Sequence, residues 1–317
     1  MLLYTLEKIR INDSWYCKEG DTYHAFFLEY PADGDPTGMW TEQTCGHMSS
    51  KDLITWEYHG TVLAPVEGLW NDRGIATGSV AKHNGLWYML YTGGSKHGRG
   101  GLAVAVSRDL MTWERVGDGP QVPTVVRYSI EYEGEELDCL PIADPYIYPT
   151  PIDGKFYIFI NTHAADRAIN KRGCTAIFRT EDFVTFEPYK AAVIEDCDRM
   201  ETVCVWEHDG KYYMYAGIVT SIVDENDPQR IVGQKNANFV YTADSIDGPY
   251  INRGELTFPK EEAVGGKRPY IIKVITDPNG REVMLANVIP NGAVGPYGIT
   301  YREDGGLEFY KLPEYEN

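Results

Sequence analysis

Five times along the chain a glycine in a turn-forming pair is followed by a run of apolar and aromatic positions: Gly20 (EGDTYHAFFLEY), Gly85 (HNGLWYMLYTG), Gly154 (IDGKFYIFINT), Gly210 (HDGKYYMYAGI) and Gly280 (PNGREVMLANVI). The spacings are 65, 69, 56 and 70 residues. Each glycine follows Glu, Asn or Asp, as a tight hairpin requires, and the Tyr, Phe, Trp, Ile and Val that come next suit a pleated, half-buried strand. A second signature follows each first one: SSKDLITWE around Trp56, VSRDLMTWE around Trp113, RTEDFVTFE around Phe186, and the weaker TADSIDGPY around Tyr250 and YREDGGLEF around Phe309. Helical periodicity is hard to find, and turn residues recur throughout, so the pattern predicts an all-β protein. A unit of roughly 60 residues accommodates a four-stranded blade with generous loops. The expected architecture is a five-bladed β-propeller of four-stranded antiparallel blades, forming a single domain over residues 1–317. The alternative, a β-sandwich with hairpins that merely resemble one another, gives no reason for two signatures in fixed order.

Composition narrows the function. With 43% hydrophobic, 24% charged and 13% aromatic residues, the 317-residue chain reads as globular rather than disordered or fibrous. Acidic residues outnumber basic ones 47 to 29, a formal charge of -18 that repels phosphate backbones and anionic lipids. Neither nucleic acid nor a membrane is an expected partner, and no apolar run approaches the roughly 20 residues of a membrane helix. Met1 to Asp13 lacks the pattern of an export signal, and the six cysteines are scattered without metal spacing. A cytoplasmic protein with free thiols is the expectation.

In a propeller the innermost strand of each blade lines a shared funnel, and the residues ahead of each turn glycine belong to that strand. Three acids stand there: Asp13 in Ile-Asn-Asp-Ser, Asp144 in Pro-Ile-Ala-Asp-Pro and Glu201 in Arg-Met-Glu-Thr-Val. Each precedes an apolar or aromatic strand, where a carboxylate is costly unless paired or used. Asp13 also reads as an Asx-turn residue and Asp144 as turn chemistry before Pro145. Glu201 is neither a good turn nor a good strand residue. Three inward carboxylates suit glycoside hydrolysis, with one acid to protonate the departing oxygen and one carboxylate to attack, or to activate water, at the anomeric carbon. A third holds the sugar and tunes the proton donor. The set needs neither metal nor organic cofactor. The other reading of the same residues is a non-catalytic sugar-binding propeller.

These residues resemble the five-bladed propeller glycosidases of furanosides, glycoside hydrolase families 32, 43 and 68, over nearly the whole chain. The order Asp, Asp-Pro, Glu across blades one, three and four is the superfamily pattern. The resemblance implies that Asp13 is nucleophile or general base, Asp144 the substrate-holding acid and Glu201 the general acid. Local wording is closest to a family 32 β-fructofuranosidase without the C-terminal β-sandwich: Asn12-Asp13 is similar to the start of Asn-Asp-Pro-Asn-Gly, Gly46 to Leu53 to Trp-Gly-His-x-x-Ser-x-Asp-Leu, and Thr77-Gly78-Ser79 to Phe-Ser-Gly-Ser. Ser14, Cys45, Ala76 and Ala143 depart from it, the last standing where the family has Arg, and Thr202-Val203 replaces Cys-Pro. Family 43 arabinofuranosidases and xylosidases, which tolerate Ala-Asp-Pro, remain the alternative.

The implied substrate is a terminal furanoside of a small oligosaccharide. Asn12, Trp15, Trp40 and Trp70 are candidate sugar contacts, and Asp72 and Arg73 either bind hydroxyls or cap a loop. Arg268 is the cation best placed to supply what Ala143 lacks, unless it forms a surface ion pair. Trp56 and Trp113 recur with the repeat and are expected to pack, and His47 reads as a core histidine. A homo-oligomer is compatible with all of this.

Overall fold

The structure is a computed structural model that describes residues 2–33, 43–98, 100–256, 258, 269–288 and 292–315. After β1 (Leu2–Tyr4), the first sheet is β2 (Ile9–Glu19), β3 (Thr22–Pro31), β4 (Thr44–Ser50) and β5 (Glu57–Leu63). The second comprises β6 (Gly74–His83), β7 (Leu86–Gly94) and β8 (Gly101–Ser107), with β9 (Glu114–Arg115) and β10 (Val122–Pro123) both paired to β8. The third runs through β11 (Tyr128–Tyr132), β12 (Glu135–Ile147), β13 (Phe156–Ala164), β14 (Gly173–Thr180) and β15 (Glu187–Glu195). The fourth holds β16 (Arg199–His208), β17 (Lys211–Asp224), β18 (Asp227–Ala243) and β19 (Ile251–Glu255). The last contains β20 (Tyr270–Thr276), β21 (Glu282–Asn287), β22 (Ala293–Tyr301) and β23 (Leu307–Lys311). Here β1 returns to pair with β22, Leu2 opposite Val294, so the chain's first strand completes its last sheet.

The repeated signatures have physical causes. Asn84-Gly85, Asp153-Gly154 and Asp209-Gly210 all have positive φ at both residues, the twist-matched hairpin geometry that Asn-Gly and Asp-Gly tolerate. In the second signature, Ser50 Oγ accepts from the backbone N–H of Leu53 while Asp52 Oδ1 accepts from Ile54 and Thr55. Ser107 with Asp109, and Thr180 with Asp182, repeat this bond for bond. The turn holds Leu53, Leu110 and Phe183 in the left-handed region and buries them.

Not every sheet has four strands. The outer strand of the second sheet is broken into β9 and β10, and the third gains the extra hairpin β11–β12 about Glu133-Gly134, whose φ values of 53° and 86° make a turn outside the repeat. Glu131 then pairs parallel with Lys190, closing that sheet on itself.

Apolar clusters tie the sheets together in chain order. Trp15 and Phe26 meet Trp87 and Met89 between the first two sheets, and Leu90 and Val104 meet Phe156 and Phe178 between the second and third. Phe159 and Ile177 meet Val205 and Met214 next, then Tyr215 and Val240 meet Met284 and Tyr297. Finally Ile11, Phe27 and Met48 pack on Leu285 and Ala293, returning the last sheet to the first. Each fully buried aromatic contributes roughly 1.5–3 kcal/mol. A two-layer sandwich has no such circuit; the arrangement is propeller-like.

Candidate active site

In each sheet the strand ahead of the turn glycine departs from regular pairing near the middle of the fold, and β12 does so a second time between Cys139 and Ile142. The register slips between Ile11 and Ser14 in β2, Ala76 and Gly78 in β6, Ala143 and Tyr146 in β12, Glu201 and Cys204 in β16, and Tyr270 and Lys273 in β20. Bulges re-aim side chains, and these five bring Asp13, Thr77, Asp144, Glu201 and Tyr270 to one cavity of about 530 Å³. Asp144, Thr202 and Ile271 have φ of 49°, 54° and 59°, left-handed values that non-glycine residues keep only where their surroundings impose them. The three acids predicted from the sequence therefore line the same hollow.

Their environments differ. Asp13 is buried, and Thr77 donates its hydroxyl to Oδ2. Burial first, then the nearby charge of Asp144, raises its pKa to about 7 against the opposing Thr77 bond. Asp144 rises to about 6, again through burial and then through Glu201, while Asn161 Nδ2 donates to it at 3.4 Å. Glu201 is held at both oxygens: Arg199 Nε donates to Oε1 at 2.5 Å and Tyr270 to Oε2 at 2.9 Å. Tyr270 reaches it by crossing β17 where Gly217 has no Cβ; a methyl group there would strike the phenol. Beneath the acids Lys273 is buried, donating to the carbonyls of Val203 at 2.9 Å and Thr202 at 3.3 Å, so it braces the bulge that carries Glu201. Asn161 Oδ1, buried on the cavity wall, has no partner among the described residues and is free to accept from a ligand hydroxyl. Among the described residues no group of three His, Cys, Asp or Glu side chains has the arrangement of a metal site.

The other expectations divide. Trp15 and Trp70 are not cavity walls: Trp15 stacks near Phe26 and closes on Gly78, and Trp70 covers Gly93, both inside the apolar cluster between the first two sheets. Asn12 is fully buried and its carbonyl accepts from Asn287, so it serves the bulge rather than the cavity lining. Asp72 accepts from the backbone N–H of Lys96 at 2.9 Å and caps a loop, while Arg73 is exposed beside it; neither lines the cavity. Trp40 and Arg268 lie outside the described residues. His47 is a core histidine, stacked on Phe26 and 2.9 Å from His24.

Asn161, Arg199, Tyr270 and Lys273 belong to the site although the sequence reading passes over them, and Thr77, which it quotes only within a motif, belongs there too. Two carry a signal. Arg199 stands two residues before Glu201 and so shares its face of the strand, and Lys273 is a lone charge in the apolar run YIIKVIT. Among the described residues the guanidinium in the cavity is that of Arg199, close in sequence to the acid.

Comparison with known proteins sets this geometry in context. The family model for the N-terminal domain of glycosyl hydrolases family 32 matches residues 11–209, more than half of the chain. An acid β-fructofuranosidase of Vigna radiata var. radiata is 30% identical over 173 residues, 52% of this chain and 23% of the relative, so the aligned part is under a quarter of that protein's length. A thermostable family-43 glycoside hydrolase has the same fold with a TM-score of 0.69 at 18% identity, covering 98% of this chain and 96% of its own. A β-fructofuranosidase of Bombyx mori has the same TM-score at 16% identity over 96% of this chain and 63% of its own.

Proposed function

The chain belongs to glycosyl hydrolase family 32, and on that premise we propose that it is a five-bladed propeller glycosidase, one domain over residues 1–317, that releases a terminal β-fructofuranosyl-like sugar from a small oligosaccharide. The observation that carries this reading is the convergence of Asp13, Asp144 and Glu201, from three different sheets, on one cavity. Carboxylates gathered in one cavity, Asp13 buried and Asp144 and Glu201 partly so, are costly for structure alone and suit acid–base chemistry.

In the proposed retaining sequence the Asp13 carboxylate attacks the anomeric carbon as the glycosidic bond breaks, and Glu201 gives its proton to the departing oxygen. Glu201, now a carboxylate, then takes a proton from water, whose oxygen displaces Asp13 and frees the sugar. Asp144 and Asn161 Oδ1, on one wall, accept from the ring hydroxyls. Tyr270 holds Glu201 in place through both steps. We place the action in the cytoplasm, where the six cysteines stay reduced.

Ala143, where the family has Arg, favours a second reading, an inverting arabinofuranosidase or xylosidase in which Asp13 activates water. The anomer first released, followed by NMR, distinguishes the two. The test of the function itself is Glu201→Gln on aryl furanosides and fructo-oligosaccharides. Turnover of natural leaving groups should fall by roughly 10²–10⁴-fold; equal turnover by both proteins, or none by the wild type on any glycoside, removes the assignment.

A further inference from the structure

The β17–β18 hairpin is longer than the sheet that carries it. β16 pairs with β17 only as far as Arg199 opposite Val219, and β19 pairs with β18 only from Thr242 back to Phe239. β17 and β18 stay paired with each other well beyond, from Thr220 opposite Lys235 out to Asp224 opposite Asp227. Residues 220–237 therefore stand past the fourth sheet as a two-stranded ribbon, and its two edges differ. On the β17 side Asn170 takes the place of a strand: its Oδ1 accepts from the Ser221 N–H at 2.8 Å and its Nδ2 donates to the Ser221 carbonyl at 2.7 Å. On the β18 side, among the described residues, no strand pairs with residues 230–237.

A two-stranded ribbon alone is marginal in water, and an open edge presents N–H and C=O groups that another strand can take. The ribbon is also apolar, with Ile222, Ile231 and Val232 exposed by 44%, 41% and 55%. Charge indicates which strand fits. The chain carries a formal charge of -18, so most surfaces of two copies repel, but residues 228–237 contain Arg230 and Lys235 and no acid. The acids Asp224, Glu225 and Asp227 stand together at the turn. A lysine on an edge ordinarily discourages pairing. A strand laid antiparallel to its own copy reverses direction, however, so the acidic end of each meets the Lys235 end of the other. Pro228 lacks an N–H, which confines the pairing to the residues after it.

We propose that the β18 edge is the interface of a two-fold symmetric homodimer, in which the β18 strands of two copies pair antiparallel and join the hairpins into one four-stranded sheet. Ile231 and Val232 are covered near the axis, and Asp227 of the partner subunit lies toward Lys235, a contact made twice by symmetry. Gln234 and Asn236 of the same stretch line the cavity, so the partner's hairpin stands at the cavity rim. An edge of this length buries less than a standard interface, and the expected dissociation constant lies between about 1 and 100 µM.

Sedimentation of the full chain across that concentration range should show the mass rising from one chain to two. Val232→Lys, at an exposed position, should hold it at one. Lys235→Glu sets like charges against the partner's Asp227 and should weaken the dimer about tenfold at low salt. Adding Asp227→Lys to Lys235→Glu should restore the affinity, which a folding defect would not permit. Hydrogen exchange should find the amides of residues 230–237 protected in the dimer and open in Val232→Lys. A single-chain mass at every concentration, a dimer untouched by Val232→Lys, or a Lys235→Glu loss that Asp227→Lys does not repair overturns the proposal. So does protection of the same amides in the single chain, which would mean that another segment of this chain covers the edge. None of these readouts involves turnover, so failure of the glycosidase reading appears separately as absence of furanoside hydrolysis.

Discussion

Asp13 in the first sheet and Asp198 at the edge of the fourth are both buried carboxylates, and their surroundings push them in opposite directions. Asp13 has one hydroxyl donor, Thr77, and two acids for neighbours, so burial prevails and its pKa climbs to about 7. For Asp198 burial also acts upward, but the Ser221 hydroxyl and the Arg172 guanidinium outweigh it and hold the group below the usual range. Asp277 in the fifth sheet repeats the second pattern, with burial outweighed by bonds from the Arg281 backbone and side chain. Burial alone therefore does not mark a functional acid. What distinguishes Asp13 is burial without an ion pair of its own, the charge of Lys273 opposing its two acidic neighbours only weakly, which keeps the proton exchangeable near neutral pH.

The largest effect that can break this comparison is Asp13→Asn. Turnover should fall by at least about 10³-fold, since the proposed nucleophile or base is lost. Stability should move the other way. An acid whose folded pKa is raised disfavours the fold progressively as pH rises from 3.8 to about 7, and fully above that. Asn removes the penalty, so the variant should melt higher than wild type at pH 8, by at most a few kcal/mol, and the difference should vanish near pH 4. Asp198→Asn should instead destabilise by about 2–3 kcal/mol at pH 8, less than a fully buried pair because Arg172 is partly exposed. Melting shifts of the same sign for both variants would abolish the distinction.

The same contrast explains which parts of the fold and the site are legible in the order of amino acids. The repeated turn pairs mark the hairpins because their geometry is local. The acids are legible because each stands ahead of an apolar strand, where a charge has no structural use. Asp198, three residues from Glu201, has no such setting in sequence, and its partners Arg172 and Ser221 come from distant strands. Trp15 shows why side-chain direction is harder. It lies two residues beyond Asp13, and strand alternation would aim both at the funnel. The slip between Ile11 and Ser14 resets the alternation, so Trp15 faces the neighbouring sheet instead. Bulges leave no mark in composition, yet five of them shape the cavity. Tyr270 is hidden for a related reason: an aromatic in a strand is ordinary, and its role depends on Gly217 one sheet away.

If burial without a counter-ion disfavours charge of either sign, His47 is the cationic counterpart of Asp13. It is fully buried and driven to about 3 by burial, then by His24 and His59 facing it from β3 and β5, with Asp109 offering weak opposition. The folded state keeps it neutral while the unfolded chain protonates near 6.5, so its contribution is complete above that value and is lost as pH falls toward 3. Between pH 7 and 4.5, His47→Gln should therefore lose less stability than wild type, by about 2 kcal/mol in chemical denaturation. Parallel pH dependences for the two proteins would mean that some unrecognised partner already compensates the imidazole.

The smallest effect sharpens the comparison inside the cavity itself. Asp144 raises Asp13 by its charge, second only to burial, so the two titrate as a pair at about 6 and about 7. The nucleophile or base must be ionised in the free enzyme, so kcat/KM should rise through an acid limb between pH 6 and 7 and fall about tenfold per unit below it. Asp144→Asn removes the like charge and leaves the burial. The limb should move to lower pH by about one unit in the residual activity that survives the loss of a sugar contact. A limb that stays in place would show that burial alone tunes Asp13. A limb that moves upward would mean that Asp144 stabilises the ionised form, and that the two acids cooperate through a shared proton rather than repel.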